Sequence, residues 1–140
     1  MKPRLYFGHP VNTYGTELET KLLEIIIAAF PCWTIENPSE QKHRDGYLKV
    51  KNKTGNGMPY FTEQVLPKCD GGVFLTFRDN RWGAGIFNEA KTLMEKGKPV
   101  WQITPDGRVI QSVSMNSIVP LSVSETRQRV YGQNGSTKPY

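Results

Sequence analysis

Glu89 follows a glycine-broken loop and opens a helical stretch, and apolar segments flank the whole unit. The run reads CDGGVFLTF, then RDNRWGAGIFNEA, then KTLMEKGKPVW, over residues 69–101. GGVFLTF is short, apolar and rich in β-formers, which predicts a buried strand. Gly83 and Gly85 interrupt it, and residues 85–96 then carry a helical pattern in Ile86, Phe87, Ala90, Leu93 and Met94. GKPVWQI predicts a second strand. Such a β–loop–α–β unit puts Glu89 in or near the first helical turn, at the carboxyl edge of a sheet where open α/β proteins bind ligands. A helix N-terminus favours the charged carboxylate, so Glu89 is expected to be ionised at neutral pH. A positioned carboxylate can attack an electrophilic sugar carbon, the chemistry of glycosyl transfer. Glutamate also occurs in first turns only because it caps them, and both readings stand at this point.

The elements that must position Glu89 include a second unit of the same kind. LYFGHPV (residues 5–11) predicts a first strand running into a loop with Gly8 and Pro10. Thr16 and Glu19 have capping-box spacing, and a helix is expected from residue 17 to about residue 30. Leu18, Leu22, Ile25, Ile26 and Ala29 share one face of it. Chain connections of this kind bring both loops to one sheet edge.

The order of these pieces resembles the nucleoside 2-deoxyribosyltransferase family, which includes deoxynucleotide N-hydrolases. The matching residues are LYFGHPV, the strand after Asp70, and GIFNEA (85–90) with EKGKPV (95–100), which together touch about half of the 140-residue chain. The resemblance implies that Glu89 is the nucleophile and that the loop after strand one contacts a nucleoside. It implies sugar binding by Asp79, whose other reading is a turn-forming Asp before Asn80. Three positions depart from the family pattern. Ile86 follows Gly85, Lys91 stands where a glycine is frequent, and the aspartate that handles the proton on the base is replaced by Thr62 and Glu63. Glu63 is therefore the candidate second catalytic group. No metal or organic cofactor is implied. Subunits of the family associate closely, so a homo-oligomer is expected, with the chain end near a partner's cleft.

Several further residues carry two readings. His9 can hydrogen-bond a base or move a proton, or serve as a structural loop histidine. Trp82 can stack a base or cover the edge of the core. Tyr6 and Phe7 alternate on the first strand, so one faces the core and the other the cleft. Tyr14 approaches the sugar or packs its loop, and Gly85 opens the loop before Glu89. Arg78 and Arg81 neutralise a phosphate or pair at the surface.

Composition bounds the rest. The chain has 18 Lys and Arg against 13 Asp and Glu, a net charge of +5, and 37% apolar residues. That is the profile of one soluble domain, with no apolar run long enough to span a membrane and no leader pattern. Two cysteines, Cys32 and Cys69, fit reduced thiols and a cytoplasmic setting. Two histidines without close Cys spacing argue against zinc. Lys42, Arg44, Lys49, Lys51 and Lys53 form a basic run that reads as an anion-binding flap or a solvated face. No nucleic-acid motif accompanies it, so a small nucleoside or nucleotide is the expected partner, rather than a polynucleotide or a membrane.

The expected architecture is a three-layer α/β fold, Rossmann-like or flavodoxin-like, with a mostly parallel sheet of about five strands. A single domain covers 1–131, with 37–57 as an inserted loop or lid that leaves room for a short helix or strand, and 132–140 as a flexible tail. Residues 32–36 are expected as a second strand, and 59–66 as a short helix with Phe61, Val65 and Leu66 inward, ended by Pro67. Residues 108–113 alternate like a strand, 117–121 predict a last short strand, and Ser122 or Ser124 caps a terminal helix. The reading of function is cleavage or transfer at an N-glycosidic bond; its rival is a non-catalytic nucleotide-binding or sensor module on the same fold.

Overall fold

The computed structural model describes residues 2–110 and 113–140. Strands β1 (Arg4–Gly8), β2 (Thr34–Glu36), β3 (Gly71–Leu75), β4 (Val100–Ile103) and β5 (Val109–Ile110) form one sheet in the order β2-β1-β3-β4-β5. The first four run parallel and β5 pairs antiparallel with β4. This is the flavodoxin-like strand order, with its direction switch between β1 and β3. Residues 111 and 112 of the expected strand 108–113 lie outside the described residues.

Side-chain alternation sorts the two faces. Leu5, Phe7, Val73, Leu75 and Ile103 point to one side, where α1 (Glu17–Ala29) covers them with Leu22 and Ile26. Tyr6, Phe74 and Val100 point to the other, against Ile86 and Leu93 of α3 (Ala84–Glu95) and against Phe61, Val65 and Leu66. The connection from β2 crosses over β1 to reach β3, so its helices fall on the face opposite α1. Leu22 and Ile26 are fully buried, and truncating either to alanine costs about 2–5 kcal/mol through the cavity it leaves.

Local chemistry explains most boundaries. Thr16 Oγ1 accepts from the Glu19 amide at the start of α1, while the Glu19 carboxylate turns to the Gly15 amide. The box is thus shifted by one residue. Helix α4 (Val123–Val130) has the full reciprocal box between Ser122 and Glu125. Residues Tyr60–Val65 make one π-helical turn, and a 3-10 turn Leu66–Lys68 carries the chain past Pro67. Phe61, Val65 and Leu66 are buried, as their spacing requires.

Three expectations are corrected. Residues 37–57 contain α2 (Gln41–Thr54), a 14-residue helix ended by Gly55 in the left-handed region at φ 85°. Its inward stripe uses buried His43 and half-buried Tyr47 among lysines, so no apolar periodicity announces it. Residues 117–121 form no strand; a 3-10 turn Met115–Ser117 precedes a single bridge between Trp82 and Pro120. The expected flexible tail is folded back on its own chain. Tyr131 bridges Thr137, and the Lys138 amide donates to the Val130 carbonyl at 2.7 Å. Tyr140 stacks on Phe77 at 6.3 Å and its hydroxyl donates to the Thr76 carbonyl. An apolar cluster of Phe77, Leu121 and Val130 accepts Tyr131 and Tyr140, which polar composition alone did not reveal.

Candidate active site

The loops after β1, β2 and β3 open at one sheet edge, and a cavity of about 430 Å³ lies there. Glu89 is at its buried end, 5% exposed. It is the sixth residue of α3, one turn deeper than the sequence implied. The dipole of a helix acts within its first turn, so burial decides the charge instead. Burial pushes the Glu89 carboxyl up to about 7, against a downward pull from Tyr6. The expectation of a fully ionised group at neutral pH is corrected accordingly: near pH 7 both forms are populated.

Tyr6 sits on β1 with its ring in the core between Phe61 and Phe74. Its hydroxyl donates to Glu89 Oε2 at 2.5 Å. Burial, then the Glu89 charge, raises Tyr6 well above the usual phenol range, so it remains a donor. Among the described residues no side chain bonds Glu89 Oε1, and the residue lines the cavity. The result is one fixed carboxylate oxygen and one oxygen available to a ligand.

The wall is largely apolar and aromatic, with a few polar groups, the usual constitution of a small-molecule site. Phe61, Phe77 and Ile86 join Tyr14, and α2 and α4 contribute matching stripes. On α2 the stripe is His43, Arg44, Tyr47 and Leu48; on α4 it is Thr126, Arg127 and Val130, continued by Tyr131 just past the helix end. Each reads i, i+1, i+4, i+5, one face of a helix. Thr126 Oγ1 also accepts the Ala84 amide at 2.9 Å, supplying the start of α3 with the cap that Gly83 cannot give.

The expected site residues divide. His9, Tyr14, Gly85 and Glu89 line the cavity, and Tyr6 supports Glu89 from beneath. Burial, then Glu89, raises Tyr14 above the usual phenol range, so it stays protonated. His9 is turned to its own chain: Nδ1 pairs with Thr13 Oγ1 at 2.7 Å and Nε2 with Asn37 Oδ1 at 3.0 Å. Burial lowers it to about 4, leaving a neutral ring stacked on Phe7. The loops after β1 and β2 are thereby tied together. Gly8 lies outside the wall, and a Cβ there would enter the Phe74 ring, so the glycine serves close strand packing.

The remaining three stand elsewhere. Glu63 is exposed on the outer side of the π-helical turn and does not reach the cavity, so it is no partner to Glu89. Asp79 is held by both oxygens on Arg129 at 2.8 Å, which lowers it to about 2. It caps the loop instead of facing a sugar. Trp82 is 2% exposed and packs on Phe74, which is the core alternative.

Beside the cavity, His43 Nε2 pairs with Glu36 Oε2 at 2.8 Å and Nδ1 with Tyr60 at 2.8 Å. Glu36, Glu40 and His43 have donor atoms within 4.8 Å of one another, a spacing open to a metal ion. Arg4 and Lys42 already reach Glu36 at 3.0 and 3.2 Å, and the Asn37 amide donates to Glu40. Burial raises Glu36, but the bonds from His43 and Lys42 outweigh it and hold the group below the usual carboxylate range. The chain thus supplies its own cations to this cluster.

Neither protein-family models, curated proteins nor solved structures yield a match to this chain. Among the described residues no helix is long and apolar enough to cross a membrane. Cys32 and Cys69 are both free.

Proposed function

We propose that this protein cleaves or transfers at the N-glycosidic bond of a 2-deoxynucleoside or nucleotide, with Glu89 as nucleophile. The observation that carries the reading is the Tyr6–Glu89 pair at the buried end of an apolar cavity. Glu89 Oε1 attacks C1′ as the bond from C1′ to the base nitrogen breaks. The electron pair leaves with the base, and a glycosyl ester remains on Glu89. Water or a second base then takes C1′ and returns the carboxylate. Tyr6 keeps Oε2 in place and stabilises the anion that re-forms. The aromatic wall suits a base, and Tyr14 is a proton-bearing group in that wall. A preference for deoxyribose over ribose and a homo-oligomer go with the same reading, as the resemblance implies.

One observation favours a second reading. Among the described residues Glu89 is the sole carboxylate lining the cavity, whereas glycosidic cleavage commonly uses two. A non-catalytic nucleotide-binding module on the same fold needs only one. Incubation with a panel of deoxynucleosides and their 5′-monophosphates, with chromatography for free base, separates the two. Release of base that Glu89→Ala abolishes is expected; tight binding without release assigns the binding module. Light scattering on the same preparation reads the assembly, and a monomer at assay concentration removes that part.

A further inference from the structure

Arginines in this chain divide by partner and place, and Arg78 and Arg81 lie outside the cavity, donating to the Tyr140 and Pro120 carbonyls. Arg4, Arg108 and Arg129 sit on carboxylates. Arg44 and Arg127 have no carboxylate within ion-pair distance among the described residues, and both line the cavity that holds Glu89. They come from α2 and α4, so two separate elements place positive charge on one opening. Both are exposed, whereas Glu89 is buried. The cavity is therefore polar by depth: a single carboxylate inside, two guanidinium groups outside, and apolar side chains between.

Each guanidinium is partly fixed. Arg44 Nε donates to the Ser39 carbonyl at 2.9 Å, which orients the group and leaves its Nη donors free. Arg127 lies over the Tyr131 ring at 5.6 Å from its centroid, another cavity residue. A guanidinium so held offers planar donors suited to phosphate oxygens. Among the described residues no lysine lines the cavity, and the rest of the basic run on α2 faces elsewhere.

We infer that Arg44 and Arg127 form a phosphate clamp, and that the ligand of this site is a nucleoside 5′-monophosphate rather than a free nucleoside. The inference rests on the glycosidic reading for its orientation only. A sugar whose C1′ faces Glu89 turns its 5′ substituent away from the buried end, toward the two arginines. It is a deepening of that reading, and its test separates from it.

Calorimetry with the four common 2′-deoxynucleoside 5′-monophosphates and the four matching nucleosides reads the clamp on the intact protein. Free-base release from the same eight compounds reads the chemistry. The best monophosphate is expected to bind about 10–100-fold tighter than its nucleoside, the scale of one or two charge-assisted contacts. Arg44→Ala and Arg127→Ala should each remove most of that preference, with monophosphate affinity falling far more than nucleoside affinity. Circular dichroism on both variants checks that they fold. Equal affinity for monophosphate and nucleoside, or a preference that survives both substitutions, overturns the clamp. Base release at equal kcat/KM from both classes overturns it too, but keeps the glycosidic reading. Arginine-dependent binding with no release keeps the clamp and removes the glycosidic reading. If none of the eight compounds binds, both fall.

Discussion

The Tyr6 hydroxyl meets Glu89 Oε2 at 2.5 Å across a sequence separation of 83 residues, joining the core of β1 to the second turn of α3. Tyr6 is 1% exposed and its ring is packed between aromatic neighbours, so this donor cannot swing away without disturbing the core. The pair is a rigid support for the one carboxylate in the cavity. Hydrogen bonds to charged groups are worth about 1.5–3 kcal/mol. Tyr6→Phe should therefore lower glycosidic turnover at pH 7 by about tenfold or more and move the pH–rate profile to higher pH. The shift arises because the lost bond favours the ionised form. A rate profile identical to wild type would show that the hydrogen bond does not act on the reaction.

Burial sets the pH behaviour of Glu89. With its carboxyl raised to about 7 from an ordinary value of 4.5, the folded protein holds this proton where the unfolded chain has lost it. Stability from this group is therefore greatest below about 4.5 and falls as pH rises to about 7, then levels. The nucleophile needs the charged form, so turnover should climb over the upper part of the same window. Activity and stability move in opposite directions there. Glu89→Gln should abolish turnover and gain roughly 2–3 kcal/mol over wild type at pH 8, a gain that shrinks toward pH 5. Urea denaturation at the two pH values measures it, and a pH-independent difference would contradict the burial argument.

Asp79 gives a test that distinguishes structure from resemblance. Its carboxylate is bidentate on Arg129, close to half exposed, and outside the cavity. Asp79→Asn should leave kcat and the deoxyribose preference unchanged, with a stability loss of about 1 kcal/mol or less, since exposed pairs contribute little. A selective loss of deoxyribose preference would return Asp79 to the site.

The sheet was readable because its signals are local. GGVFLTF is an apolar run opened by glycines and ended by Arg78-Asp79-Asn80, LYFGHPV runs into Gly8 and Pro10, and the stripe through Leu22 and Ile26 has helical spacing. Glu89 was readable as the first acid after the glycine-broken loop. What stayed hidden depends on tertiary contact. His43 and Tyr47 hold the inner face of α2 without an apolar pattern, so the segment read as a loop with room for only a short helix or strand. Arg127 and Tyr131 enter the cavity only because Ser122, Trp82 and Thr126 dock α4 over the start of α3. The i, i+1, i+4, i+5 stripes on α2 and α4 were the available signal, but charged and aromatic residues also occupy such positions on solvated helices. The charge of Glu89 was misjudged for a related reason. Its distance along the helix was legible to within a turn, while its burial was not legible at all.

The C-terminal segment offers the last test, because polar composition and packing give opposite answers. Asn12 Nδ2 donates to the Lys138 carbonyl at 3.0 Å, so the segment is anchored to the loop after β1 as well as to α4. Tyr140 fills the space beside Phe77, lies under the Arg78 guanidinium at 4.7 Å, and is pushed up to about 12, mainly by burial. Phe77 lines the cavity, so the segment braces one of its walls. Tyr140→Ala removes an aromatic contact and the hydroxyl donor to Thr76. The expected loss is about 2–3 kcal/mol by urea denaturation, since the ring is only part-buried and full truncation of a buried aromatic costs 3–5. Tyr140→Phe, which keeps the stack and loses only the hydrogen bond, should cost about 1 kcal/mol. A chain lacking residues 133–140 should be destabilised at least as much as Tyr140→Ala, and its turnover should fall with the loosened wall. Both effects belong to a single chain, so they should be independent of protein concentration. Destabilisation that weakens as concentration rises would instead place the segment on a neighbouring subunit, and a truncated protein as stable as wild type would leave Tyr140 without a structural role.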